Sequence, residues 1–125
     1  MTDSIDNPSG ADVMIYHNPS CGASRNVLAA IRASGREPKV VEYLKAGWTK
    51  PQLTGLLKAM GKSARDILRV RGTSAKARGL TLLTTTEAAI IEAMIAEPIL
   101  VERPIVATSK GAALCRPASQ LDALL

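Results

Sequence analysis

The opening stretch of the chain alternates in a way that few folds accept. Val13-Met14-Ile15-Tyr16 is an unbroken apolar run. It ends in His17-Asn18-Pro19-Ser20-Cys21-Gly22, a turn-forming stretch. Over about 24–34, Val27, Leu28 and Ile31 recur at helical spacing, and Gly35 supplies a stop. Lys39-Val40-Val41-Glu42-Tyr43-Leu44 is again β-rich. The pattern predicts a buried strand, a helix and a second strand, with the two strands parallel through a right-handed crossover.

The rest of the chain supplies a second half. Thr49 opens a helix, with Gln52 placed to complete a capping box. Leu53, Leu56, Leu57 and Met60 share a face, and Gly61 ends the run. Ser63 is expected to cap a short helix reaching Arg69, and 71–84 reads as loop with one helical turn. Thr84 with Glu87 gives another capping-box pattern, ahead of a helix carrying Ile90, Ile91, Met94 and Ile95 that stops before Pro98. Ile99-Leu100-Val101 and Ile105-Val106-Ala107 read as strands, 111–117 as a turn, and Leu121, Leu124 and Leu125 as the face of a last helix. The order is β-α-β, then β-β-α, with a helical insertion between the halves. The predicted class is α/β (an α+β sandwich) with a thioredoxin-like plan. One domain is expected over 13–125, behind a disordered polar tail over 1–12 that has no apolar core of a secretory signal.

Composition narrows the function. At 125 residues with 46% hydrophobic and 22% charged, the chain is neither disordered nor collagen-like and can bury a real core. Its aromatics are Tyr16, Tyr43 and Trp48, with no Phe, so the core is aliphatic and a base-stacking platform is absent. No apolar run approaches a membrane span. The net charge of +5 is concentrated in 62–78, where Lys62, Arg65, Arg69, Arg71, Lys76 and Arg78 face only Asp66. Such a segment is either a solvated helix face with its loop or a patch for an anionic partner. Two cysteines, Cys21 and Cys115, form no CxxC pair, and with a single histidine no metal site is expected. Sparse cysteine and no export signal point to a reducing cytosol.

Cys21 carries the chemistry. It follows a strand and precedes a helix, where free amides and the positive end of the helix stabilise a thiolate. Gly22 allows close approach of an oxyanion to the backbone, and Ser24 can donate a hydrogen bond to the sulfur. A turn of Asn, Pro, Ser and Gly is a poor place for a core cysteine, the bland alternative. Ser24 stands where a CxxC would have its second cysteine, so dithiol exchange within the loop is excluded and a second thiol must come from elsewhere. His17 fits either an imidazolium that lowers the Cys21 pKa or a turn histidine bonded to the backbone. Arg69, Arg103 and Arg116 are candidate oxyanion ligands; each taken alone also reads as a surface charge. Arg103 and Arg116 each precede a proline, which puts them on extended or turn backbone.

These residues resemble a known family. Ile15-Tyr16-His17-Asn18-Pro19-Ser20-Cys21-Gly22-Ala23-Ser24-Arg25-Asn26 is similar to the active-site segment of the glutaredoxin-coupled arsenate reductases. Met60-Gly61, Ala64-Arg65-Asp66-Ile67-Leu68-Arg69, the stretch Glu97-Pro98-Ile99-Leu100-Val101-Glu102-Arg103-Pro104-Ile105-Val106, and Leu114-Cys115-Arg116-Pro117 resemble its later blocks in order. The resemblance implies that Cys21 attacks arsenate and forms a covalent adduct, with His17 lowering the thiol pKa. It implies that Arg69, Arg103 and Arg116 hold the oxyanion. Glutathione would then attack the adduct, glutaredoxin would resolve the Cys21–glutathione disulfide, and arsenite would leave. It also implies a cis peptide bond before Pro104, no bound cofactor or metal, and a cytoplasmic location.

Three other readings compete. One is a thioredoxin-like monothiol paralogue with another substrate or a redox-regulatory role, and without robust arsenate turnover. Another is a disulfide-sensing regulator that binds RNA polymerase, against which Ser24 argues. The third is a nucleic-acid-binding module on 62–78, which the scarcity of aromatics disfavours. No membrane or nucleic-acid partner is expected.

Overall fold

A computed structural model of the chain describes residues 12–125. The tail expected over 1–12 lies, Asp12 apart, outside the described residues. Four strands form one mixed sheet in the order β2-β1-β3-β4, where β1 is Val13–His17, β2 Lys39–Glu42, β3 Ile105–Thr108 and β4 Gly111–Leu114. β1 runs parallel to β2, with Tyr16 beside Val41, and antiparallel to β3, with Ile15 beside Val106. β3 turns back into β4, with Val106 beside Ala113.

The central position of β1 explains its unbroken apolar run. A strand's side chains alternate between faces, and both faces of β1 are covered. Val13 and Ile15 pack with Val106, with Val27 and Ile31 of α1 (Gly22–Ala33), and with Leu121 and Leu124 near the C-terminus. Met14 and Tyr16 pack on the other side among Leu53 and Leu56 of α3 (Lys50–Met60), Ile90 and Met94 of α4 (Glu87–Ala96), and Ile105. Each such fully buried aliphatic side chain contributes about 1.5–3 kcal/mol relative to exposure.

α3 forms as its sequence predicts. The Thr49 hydroxyl accepts the Gln52 amide at 3.2 Å, the Gln52 side-chain oxygen accepts the Thr49 amide at 3.2 Å, and Pro51 sits in the first turn. Gly61 ends the helix in the left-handed region at φ 67°, which a side chain would resist.

Several boundaries differ from the sequence reading. The second strand stops at Glu42, and Tyr43 opens a short helix, α2 (Tyr43–Ala46), because its ring turns inward and stacks on Trp48 at 5.2 Å. Burial overrides β-propensity here. The cap of α4 is Thr86, whose hydroxyl accepts the Ala89 amide at 3.1 Å, rather than Thr84. Glu87 instead reaches the Ala64 amide at 2.8 Å and holds the single 3-10 turn Ala64–Ile67, which ends short of Arg69. Ile99 and Leu100 belong to a 3-10 turn, Pro98–Leu100, which the fixed φ of Pro98 initiates; Val101 makes an isolated bridge to Leu68. The expected turn over 111–117 contains the edge strand β4. Its small residues hide it from a hydrophobicity pattern; pairing with β3 and packing against α3 make it a strand. The last helix is a 3-10 turn, Ala118–Ala123. Among the described residues no helix is long and apolar enough to cross a membrane.

Candidate active site

The loop from β1 to α1 is tied down at several points. Asn18 Oδ1 accepts the Ser20 amide at 2.9 Å, the Asn18 carbonyl accepts the Cys21 amide at 3.0 Å, and Arg25 Nη1 donates to the Pro19 carbonyl at 2.9 Å. Cys21 is the N-cap of α1, with extended backbone and a partly exposed side chain. Burial alone would raise its pKa. The Arg103 guanidinium and the backbone amides of Ser24 and Ala23 outweigh that and bring the thiol down to about 7. A substantial share of the sulfur is then thiolate near neutral pH.

Two arginines reach Cys21 from distant segments. Arg103, just ahead of β3, is only 8% exposed, and its Nε and Nη1 are buried with no hydrogen-bond partner. Such donors are costly unless something accepts from them. Arg116, just past β4, places Nη1 3.8 Å from Cys21 Sγ and 3.2 Å from the Arg103 carbonyl. The Arg103–Pro104 and Arg116–Pro117 peptide bonds are both cis. Arg69 is engaged with a different partner. Its Nη1 pairs with Glu102 Oε1 at 2.9 Å, while its amide donates to the Leu100 carbonyl and the Glu102 amide to the Ile67 carbonyl, both at 2.8 Å. Burial pushes the Tyr43 hydroxyl's pKa up, with the Cys21 thiolate adding to it and the Arg103 and Arg69 charges opposing it.

Some expected contacts are differently made. Ser24 is buried, and its hydroxyl lies 2.7 Å from His17 Nδ1 and 3.1 Å from the Asn18 amide; it is its backbone N–H that faces the sulfur. Burial pushes the His17 pKa below its ordinary value, with Glu42 opposing and Arg32 and Arg25 assisting. Burial thus favours the neutral ring, whose Nδ1 lies against the Ser24 hydroxyl, and Cys21 is not among the groups that shift it. A Cβ on Gly22 would meet only Arg25 Nη2, at 3.7 Å, so no steric demand imposes glycine there. Cys115 is 1% exposed, and burial pushes its thiol up to about 11. Both cysteines are free thiols.

Sequence reasoning missed Tyr43 and Glu102. Tyr43 is one of only two tyrosines, which could have flagged it; Glu102 adjoins Arg103 but is defined by its pairing with Arg69. The basic segment over 62–78 is partly spent inside the fold. Arg65 Nη2 donates to the Thr85 carbonyl at 2.6 Å, Arg78 pairs with Glu97 at 3.1 Å, and Arg69 with Glu102. Among the described residues no group of three His, Cys, Asp or Glu could hold a metal ion. An activated thiolate beside a buried guanidinium with unused donors is an arrangement for nucleophilic attack on a tetrahedral oxyanion.

Comparison with known proteins agrees in sequence and in shape. The model of the ArsC family matches residues 16–124. The arsenate reductase ArsI2 of Synechocystis sp. is 51% identical over 113 residues, covering 90% of this chain and 81% of that protein. The arsenate reductase of Escherichia coli is 43% identical over 107 residues, covering 86% and 76%. The solved arsenate reductase from Vibrio cholerae superposes with a TM-score of 0.87 at 33% identity, covering 92% of this chain and 98% of that one.

Proposed function

The chain belongs to the ArsC family, and on that premise we propose that it reduces arsenate to arsenite with Cys21 as nucleophile. The observation that carries this reading is Arg103, whose buried, unused N–H groups lie beside a thiol of pKa about 7. Arg103 and Arg116 receive the oxyanion, and Arg69 adds charge. Gly22 and Ser24 present backbone at the helix N-terminus, and His17 holds Ser24. Residues 13–125 act as one catalytic domain.

The Cys21 thiolate attacks arsenic, and one oxygen leaves as water after taking up protons. The sulfur–arsenic bond forms with arsenic still pentavalent. The fixed guanidinium groups stabilise the charge on the remaining oxygens without having to reorganise. A glutathione thiolate then attacks the Cys21 sulfur. The sulfur–arsenic bond breaks with its electron pair on arsenic, which becomes trivalent arsenite, and a Cys21–glutathione disulfide forms. Two sulfurs have been oxidised and one arsenic reduced by the same two electrons. A glutaredoxin thiol exchanges with the disulfide and restores Cys21. Cys115, buried and poorly ionised, supports the choice of an external second thiol. A reduced Cys21 and the use of glutathione both support a cytoplasmic setting.

The test is NADPH oxidation with arsenate, glutathione, glutaredoxin and glutathione reductase, comparing wild type with Cys21→Ser. Arsenate-dependent turnover that requires both Cys21 and glutathione is the expected result. A readily alkylated Cys21 without arsenate-dependent turnover would leave a monothiol paralogue with another substrate.

A further inference from the structure

A cavity of about 390 Å³ is lined by Arg116 and by no residue of the helix that follows Cys21. Its charged and polar walls are Lys62, Asp66, Arg116 and Gln120. Its floor includes Ala112 and Leu114 of β4. β4 is an edge strand, with β3 on one side and no strand on the other. Alternate N–H and C=O groups along it therefore point away from β3, as any edge strand's do; the Leu114 carbonyl already accepts the Arg116 amide at 2.9 Å, and an extended peptide can pair with the others. Both hydrogen bonds that Asp66 accepts come from Ser63 and fall on Oδ2, which leaves Oδ1 as an acceptor. Arg116 belongs to this wall and also reaches to 3.8 Å from Cys21 Sγ.

We propose that this cavity is the glutathione site, the tripeptide lying along the free edge of β4 with a carboxylate on Lys62, its ammonium on Asp66, and its thiol carried past Arg116 to Cys21. The proposal rests on the glutathione-dependent reading above and adds where the co-substrate sits. The chemistry matches in kind. Glutathione is a short extended peptide with two carboxylates and one ammonium, and the cavity offers a strand edge, two cations and one anion. A second cavity of about 280 Å³ also touches Arg116 and is walled by Ala23, Asn26, Cys115, Pro117 and Ala118. Apart from Arg116 it has no charged side chain for either carboxylate.

Two measurements test this together. The first is titration of the wild-type protein with S-methylglutathione, which has no free thiol, followed by amide chemical shifts. Shifts at Lys62, Ala112, Leu114 and Gln120 are expected. Shifts confined to Ala23, Asn26 and Ala118, or none at millimolar ligand, would overturn the site. The second is steady-state kinetics of Lys62→Glu. The KM for glutathione should rise roughly fivefold to tenfold, with the KM for arsenate and the pH midpoint of Cys21 alkylation unchanged, and Lys62→Arg should restore it. An unaltered glutathione KM also overturns the proposal. Shifts along β4 in a protein that shows no arsenate turnover would uphold the site while removing the reductase reading.

Discussion

Ser24 Oγ lies 2.7 Å from His17 Nδ1 while accepting the Asn18 amide at 3.1 Å. One buried hydroxyl thus joins the end of β1 to the first turn of α1, and the shape of the reactive loop depends on it. Because the hydroxyl accepts from Asn18, its own proton is available to Nδ1, which suits the neutral ring that burial favours. Ser24→Ala leaves two buried polar groups without a partner and should cost about 1–3 kcal/mol of stability. Urea denaturation measures this; a loss of only a few tenths of a kcal/mol would remove the hydroxyl from the account of the loop.

The Cys21 thiol is held down to about 7 chiefly by Arg103, against the opposing effect of burial. A lowered pKa means that the reactive form is present above the midpoint and lost as pH falls through it. Alkylation by iodoacetamide should rise with a midpoint near pH 7, and Arg103→Ala should move that midpoint upward, toward an ordinary thiol. Cys115, pushed up to about 11 by burial, should label only after unfolding. Peptide mass spectrometry across pH resolves the two sites. An unmoved midpoint in Arg103→Ala would contradict the assigned cause.

The three arginines should not be equivalent to others on the surface. Arg69→Ala, Arg103→Ala and Arg116→Ala are each expected to lower kcat/KM for arsenate by roughly 10²–10³. Arg36, which pairs with Asp12 at 3.6 Å away from the site, is the control, and Arg36→Ala should change activity little. Arg25→Ala, which frees the Pro19 carbonyl, should lose less than any of the three. Comparable losses across all five variants would dissolve the oxyanion site as assigned.

Glu102 neutralises Arg69 through a 2.9 Å ion pair with side chains 15% and 25% exposed. Glu102→Gln keeps the shape and removes the charge, so the field at the site becomes more positive. Competitive inhibition by phosphate, an oxyanion of the same geometry, should strengthen several-fold. If Glu102 instead serves only to hold the backbone, phosphate inhibition will stay put or weaken while the arsenate KM rises.

The sequence was legible where a local signal coincided with the final environment. The run Val13 to Tyr16 is apolar because both faces of the central strand are covered, and Thr49 with Gln52 caps a helix in isolation as in the fold. It was illegible where tertiary contacts decide. Gly111-Ala112-Ala113-Leu114 carries no alternation, and pairing to β3 with packing against α3 makes it a strand. Tyr43 reads as β and becomes helical to reach Trp48. At the site, Cys21 and the three arginines could be singled out by chemistry and family resemblance. The partnership of Glu102 with Arg69, and of Ser24 with His17 instead of with the sulfur, depends on geometry that spacing does not encode.

The groups that activate Cys21 are separated from it along the chain, and that has a consequence for biosynthesis. Cys21 leaves the ribosome long before Arg103 and Arg116, which flank the β3–β4 hairpin, have been made. Until that hairpin docks against β1, the sulfur lacks the guanidinium that most lowers its pKa. The nascent chain therefore carries a largely protonated thiol at neutral pH, slow to meet peroxide or stray disulfides. Cys21 becomes strongly reactive only once the β3–β4 hairpin has docked, so the onset of thiol reactivity reports that docking.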